Sequence, residues 1–244
     1  MRHAPALAAA SLALLLAGAV APVATAISPD PAVSNPALID AFTSSDWARV
    51  SRAAATLEAD PDRAVPLLMA LVDRADDVEL KDTADLIYPG APAFYGHGYV
   101  LPYDLDSIAG RAGWVLEDIA MVPFGYEVHA VASRTPTEVE AWRVARVAAA
   151  KKARAWWAER LRAPRPFGRR ALAVAALASS DPWRQAHALG WLRGCGDEAP
   201  PGDACPTLDE FDRDLRARVT ALARSPDAGV KRQAELLLEE RRAP

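Results

Sequence analysis

The chain is poor in the residues that most often carry chemistry in proteins. It has two cysteines, four histidines and three methionines among 244 residues. It also lacks the usual enzyme signatures: no G-x-S-x-G elbow, no H-E-x-x-H helix, no phosphate-binding loop and no Rossmann glycine pattern. These absences make an enzyme less expected than a binding protein, and nothing in the sequence implies a cofactor.

Long apolar runs are missing after residue 26, but one precedes it. Residues Ala6 to Val20 are almost entirely apolar, and an A-x-A pattern follows at Ala24 to Ala26. A basic residue, an apolar run and small residues in this order are typical of a secretory signal. We therefore predict a signal peptide over residues 1–26, followed by an N-terminal linker over 27–37. The mature protein is then expected in the periplasm or outside the cell.

Two other interpretations of this segment stay open. Cleavage after Ala19 or Ala21 is chemically acceptable as well. The apolar run is also nearly long enough for an uncleaved membrane anchor, which needs roughly 20 residues. Because Pro22 and the small residues suit a signal peptidase better, we expect no stable membrane span after cleavage.

The two cysteines, Cys195 and Cys205, lie in the loop sequence GCGDEAPPGDACP. An even number of cysteines in an exported chain favours a disulfide. Closing so short a loop would contribute roughly 2–3 kcal/mol to stability. A reactive or metal-binding pair is the alternative, but no histidine lies near and the spacing fits no zinc module. We predict a structural disulfide.

The charge is unevenly distributed along the chain. Residues 27–126 carry 6 basic and 16 acidic residues, whereas residues 143–170 carry 10 basic residues and one acid, Glu159. The basic block could bind an anionic partner. It could also be the solvated face of long helices, whose basic side chains cover apolar surface with their stems. Nucleic acid is an unexpected partner for an exported protein.

Proline, glycine and Asp/Ser punctuation divides the rest of the chain into helices. A capping box from Thr135 to Glu138, with Pro136 at the first helical position, predicts a helix of about 26 residues. Further helix pairs are predicted on either side of Asp181-Pro182 and of Ser225-Pro226-Asp227. An earlier helix is expected to begin at Ser44 or Ser45.

Four of these helices share a register of large and small apolar residues. SPDAGVKRQAELLLEE and SDPWRQAHALGWL resemble the second helix of a HEAT-type repeat, and RAVPLLMALV resembles the first. The resemblance implies an all-α fold over residues 38–241: a right-handed α-solenoid of antiparallel helix pairs. A generic helical bundle is the alternative. HEAT-like folds mostly bind other proteins.

One segment, DTADLIYPGAPAFYGHGYVLPYDLD, has no helical period. We interpret residues 82–103 as an insertion in one repeat, and such insertions map to loops on one face that often bind. All five tyrosines of the chain lie between Tyr88 and Tyr126. Aromatic side chains give large contact areas at low entropic cost, although they could instead form a small satellite core. The candidate binding residues are Tyr88, Phe94, Tyr95, His97, Tyr99, Tyr103 and, on the next helix, Arg111.

The same segment suggests an enzyme as a second hypothesis. His97, Asp104 and Asp106 could bind a divalent metal or act as an acid–base group. Asp106 is equally well explained as the N-cap of the following helix, and Asp104 as a turn acceptor. His187 occupies a core-facing position, where a buried structural histidine is expected.

These patterns together predict an exported protein-binding or scaffold module. Its concave face and the insertion would recognise another protein, expected in the cell envelope. A metal-dependent hydrolase or acid–base enzyme centred on His97, Asp104 and Asp106 is the alternative.

Overall fold

The computed structural model describes residues 34–83, 86–89, 99–128, 135–162, 167–194 and 213–240. These parts of the chain are mostly helical, as predicted. The helices are α1 (Asn35–Phe42), α2 (Trp47–Ala59), α3 (Pro61–Met69), α4 (Ile108–Ala120), α5 (Pro136–Arg160), α6 (Arg169–Leu177), α7 (Pro182–Gly194), α8 (Arg213–Leu222) and α9 (Ala228–Glu240). The predicted signal peptide and the predicted cysteine pair lie outside the described residues.

The punctuation that predicted α5 to α9 has a local physical basis. Thr135 caps α5, and Glu138 reaches back to the Thr135 backbone, so the expected capping box is present. At 25 residues, α5 is about 38 Å long. The Asp181 carboxylate accepts from the amide of Trp183 at the start of α7, and Asp227 accepts from Val230 at the start of α9.

Two predicted caps differ from the structure. Asp46 rather than Ser44 or Ser45 caps α2, because its carboxylate accepts from the Arg49 amide. Ser107 rather than Asp106 caps α4. In each case the true cap lies one or two positions nearer the helix, and the residue expected to cap makes other hydrogen bonds.

The insertion contains a small sheet that the sequence did not predict. Strands β1 (Leu86–Ile87) and β2 (Tyr99–Val100) pair in parallel, with Leu86 opposite Tyr99 and Ile87 opposite Val100. The chain on either side also pairs along its backbone. Asp77 bridges Ser107, and the Val78 amide donates to the Asp106 carbonyl. These bonds tie the base of the insertion to the helices.

The apolar core forms two clusters. The first is built from α1 to α5 and the segments next to them, including Tyr88 and Tyr103 of the insertion, and Phe42, Val65 and Leu116 are among its fully buried members. The second is built from α6 to α9, with Met121 as the single residue contributed by the end of α4. Neighbouring helices pack pairwise: α1 on α2, α3 on α4, α6 on α7, and α8 on α9, while α7 also packs along α9. No helix in the described part of the chain is long and apolar enough to cross a membrane.

Candidate functional site

The carboxylate of Asp106 fixes the start and the end of the insertion to each other. It accepts hydrogen bonds from the Leu80 amide and from the Tyr88 hydroxyl, both at 3.0 Å. Burial and the neighbouring Asp106 charge raise the pKa of Tyr88 well above its usual value, so the phenol stays a donor. Tyr88 and Asp106 are both almost completely buried. Their side chains therefore join the two ends of the insertion and do not present a surface to a partner.

Arg111 lies beside this contact, with no exposed surface. Its guanidinium donates to the backbone carbonyls of Ser44 at 2.7 Å and Phe42 at 3.3 Å, and also to those of Leu105 and Val78. Burial lowers the pKa of Arg111 to about 10, so it remains a cation at neutral pH. One side chain thus joins the α1–α2 turn, the segment before the insertion and the segment after it.

Glu117, one turn and a half further along α4, organises the loop that follows this helix. Its Oε1 accepts from the Gly125 amide at 2.6 Å and the Tyr126 amide at 3.1 Å. Burial raises the pKa of this carboxyl, while these amides and the nearby Tyr103 hydroxyl oppose the rise. The Tyr126 ring packs on Gly113, where an added Cβ would lie 2.0 Å from the ring. Only glycine permits this contact.

The predicted binding residues therefore fall into two groups. Tyr88, Tyr103 and Arg111 are buried, which supports the satellite-core alternative for these three. Phe94, Tyr95 and His97 lie outside the described residues, and of Tyr99 the structure describes the backbone alone.

His97, the central residue of the metal hypothesis, also lies outside the described residues. Asp104 pairs with Arg146, and Asp106 binds Tyr88 and Leu80. The described ranges contain no group of three or more His, Cys, Asp or Glu side chains arranged to hold a metal ion. The two aspartates have structural partners, and the enzyme hypothesis stays a prediction.

A cleft of 460 Å³ opens where the insertion returns to the helices. We call it the α5 cleft. One wall is the segment 125–128, which pairs along its backbone with residues 102–103 at the end of the insertion. The opposite wall is the N-terminal half of α5. The whole cleft is lined by Asp104, Gly125, Tyr126, Glu127, Val128, Ala141, Trp142, Ala145 and Arg146.

Charged groups of both signs surround the α5 cleft. Arg146 donates to Asp104 at 2.6 Å, with only 12% of the arginine side chain and 2% of the aspartate exposed. The ammonium of Lys152 lies 3.9 Å from the position that a Cβ on Gly125 would occupy. Glu127 accepts from the indole nitrogen of Trp183 at 3.0 Å. The cleft therefore has charged groups of both signs beside apolar surface.

The rim of the cleft on α5 is apolar and exposed. Val144 is 58% exposed, and Ala141, Ala145 and Ala148 are exposed on the same face of α5. Scattered apolar residues on a surface need no explanation, but a continuous group beside a cleft is typical of an interaction site.

A second polar cluster lies where the two apolar clusters of the core meet. Arg169 at the start of α6 donates to the Glu58 carbonyl at 3.1 Å and to the Asp118 carboxylate. Its guanidinium lies over the Trp191 ring, 5.9 Å from the centroid. His187, predicted to be buried, is half-buried and stacks on Trp183 with the ring centroids 3.5 Å apart. These residues of α2, α4, α6 and α7 form what we call the junction cluster: Glu58, Asp118, Arg169, Trp183, His187 and Trp191.

Sequence reasoning missed both the α5 cleft and the junction cluster. Val144 was not recognisable as part of a site, because the apolar residues of α5 are spread around much of its circumference. Glu58, Asp118 and Arg169 are separated by 60 and 51 residues and share no motif. The one available signal was the basic block itself, which contains both Arg146 and Arg169.

Comparison of the chain with models of known protein families, with curated proteins and with solved structures found no match.

Proposed function

We propose that this protein is an exported module of HEAT-like helix pairs that binds another protein of the cell envelope. Its recognition surface would be the α5 cleft together with the adjoining insertion. The predicted signal sequence supports export. The pairwise packing of α6 with α7 and of α8 with α9, with α7 lying along α9, supports a stack of helix pairs.

The α5 cleft is the observation that carries this proposal. It combines a concave volume, an aromatic ring, a preformed ion pair and an exposed apolar rim. Sites that recognise a partner bring apolar contact area together with a few fixed polar groups. The buried hydrogen bonds of Arg111 and Asp106 hold the described ends of the insertion against the helices, so little entropy would be lost there on binding.

Filling the cleft tests the proposal. Ala145 lines the cleft and is exposed, so Ala145→Trp should occupy it without disturbing the core. Ala158→Trp adds the same ring to an exposed position 13 residues further along α5 and serves as the control. The mature wild type and both variants would be immobilised and exposed to an envelope extract of the native cells.

We expect the wild type and Ala158→Trp to retain the same partner, and Ala145→Trp to retain at least tenfold less. Circular dichroism of all three proteins would establish equal folding. Equal retention by Ala145→Trp would remove the α5 cleft from the binding surface.

A further inference from the structure

We propose that the element recognised by the α5 cleft is an acidic amphipathic helix of the partner, lying along α5. This inference rests on the proposed function and specifies the chemistry of the partner. It depends on three features of α5: the spacing of its exposed apolar residues, the position of its free cations and its length.

The exposed apolar residues follow helical spacing. Ala141, Val144, Ala145 and Ala148 occupy positions i, i+3, i+4 and i+7, and all four are exposed. We call them the α5 stripe. This spacing places them on one face of the helix, beside the cleft that Ala141 and Ala145 also line. An amphipathic helix recognises such a surface through its own residues at i, i+3, i+4 and i+7.

The charges next to the stripe select the sign of the partner. Lys151 and Lys152 follow Ala148 on α5, are exposed, and make no ion pair with the residues that the structure describes. Most other cations of this helix already have carboxylate partners. Arg143 pairs with Glu140, Arg146 with Asp104, and Arg154 with Asp73. The two lysines are therefore the cations available to a partner next to the α5 stripe, and they favour carboxylates on it.

The length of the surface limits the partner element. From Ala141 to Lys152 is 11 residues, or about 16 Å along the helix axis. A partner helix of about three turns would cover the α5 stripe and place acidic side chains beside the two lysines. Its apolar residues would contact Val144 and the cleft, where Lys152 lies near Gly125.

An anionic membrane is the other surface that basic, apolar helices bind. Helices that lie on membranes carry large Trp, Phe or Leu side chains on the apolar face. The α5 stripe has only Ala and Val, and the exposed Leu161 is 17 residues from Val144, about 25 Å along the chain. The concave cleft also suits a protruding segment better than a flat bilayer. A protein helix is therefore favoured.

The probe is a fluorescein-labelled synthetic helix of 16 residues. It carries Leu at i, i+3, i+4 and i+7 and Glu at the flanking positions, and a matched peptide replaces every Glu by Lys. Binding to the full mature chain would be measured by fluorescence anisotropy at low and high salt. The variants are the double change Lys151→Glu with Lys152→Glu, the single change Val144→Asp, and the control Val174→Asp on α6, where Val174 is 37% exposed.

We expect the acidic peptide to bind the wild type and Val174→Asp equally. Binding should fall at least tenfold in Val144→Asp and in the double lysine variant, and should weaken at high salt. The basic peptide should bind at least tenfold more weakly than the acidic one. No binding of the acidic peptide, or equal binding to the charge-reversed variant, would overturn the inference.

Two further measurements separate the possible failures. Cosedimentation with phosphatidylglycerol vesicles, in the absence of peptide binding, would replace the protein helix by a membrane. Capture of the native partner that is lost in Ala145→Trp but unchanged in the double lysine variant would uphold the proposed function and refute the acidic helix. Capture unchanged in both variants would refute both.

Discussion

Two charged side chains on α4 connect segments that are far apart in the sequence. Arg111 reaches carbonyls of residues 42 and 44, and Glu117 reaches amides of residues 125 and 126. Burying a charge is costly unless hydrogen bonds or an opposite charge compensate for it. The sequence analysis placed Arg111 among the candidate binding residues, but the hydrogen-bond partners of both side chains are backbone atoms. Backbone atoms carry no residue identity that a sequence pattern could reveal.

Replacing Arg111 by methionine should destabilise the protein by at least about 3 kcal/mol, because several buried carbonyls would lose their donor. The control is Arg154→Met, which removes an exposed pair with Asp73 and should cost less than about 1 kcal/mol. Urea unfolding of both variants measures the difference. Similar midpoints would show that the Arg111 contacts contribute little to the stability of the fold.

Replacing two helical glycines by alanine should change the stability of the protein in opposite directions. Gly113→Ala would place a Cβ 2.0 Å from the Tyr126 ring and should cost about 1–3 kcal/mol through overpacking. Gly190→Ala, on α7, meets no atom within 4 Å and should stabilise by about 0.5–1 kcal/mol because alanine favours the helix. Thermal unfolding should therefore shift in opposite directions. An unchanged or raised melting temperature of Gly113→Ala would contradict the packing of Tyr126 against α4.

At the scale of whole elements, local signals decided how much was predictable. Helices α5 and α7 begin at the proline of Thr-Pro and Asp-Pro sequences, and α9 begins directly after Ser-Pro-Asp. The residue that caps each of these helices bonds to an amide within three positions along the chain. The strands β1 and β2 have two residues each and pair across the insertion. So short a pair has no periodicity to detect, and long-range pairing fixes its register.

Ala234→Asp tests the register of the last helix. Ala234 is fully buried in α9, so a carboxylate there would lack a partner and should cost several kcal/mol. Ala228→Asp is the matched control, because Ala228 is exposed in the first turn of α9. An acid there interacts favourably with the helix dipole, and the change should stay within about 0.5 kcal/mol. Equal melting of the Ala234→Asp variant and the wild type would show that Ala234 does not face the core.

At the scale of the whole molecule, the two apolar clusters are joined through a polar boundary. Arg169 contacts Glu58 and Asp118 of the first half, and Arg184 donates to the Met121 carbonyl at 3.1 Å. The spacing of apolar residues predicted a helical protein with a separate insertion, because helical periodicity can be detected within a short stretch of sequence. It did not predict where the halves meet, since that boundary depends on how α4 and α6 are placed in space.

The junction cluster should make stability depend on pH. Burial, with help from the Asp118 charge and against Arg169, raises the pKa of Glu58 from 4.5 to about 8. Between these values the native state holds a proton that the unfolded state has released. The free energy of unfolding must therefore fall as pH rises from about 5 to 8. Burial lowers the pKa of the neighbouring His187 below its ordinary value of 6.5. This shift makes the free energy of unfolding rise with pH instead, and it does so below pH 6.5.

Glu58→Gln isolates the contribution of Glu58, because an amide resembles the protonated carboxyl and does not titrate. Urea unfolding at intervals from pH 5 to pH 9 should give similar stabilities for variant and wild type at pH 5, with the variant increasingly more stable toward pH 9. The control is Glu79→Gln, at an exposed position, whose profile should run parallel to the wild type. The effect of His187 is common to all three proteins and cancels in the difference. If Glu58→Gln also ran parallel to the wild type, Glu58 would be ionised in the native state at pH 5, and Arg169 would compensate for both carboxylates of the junction cluster.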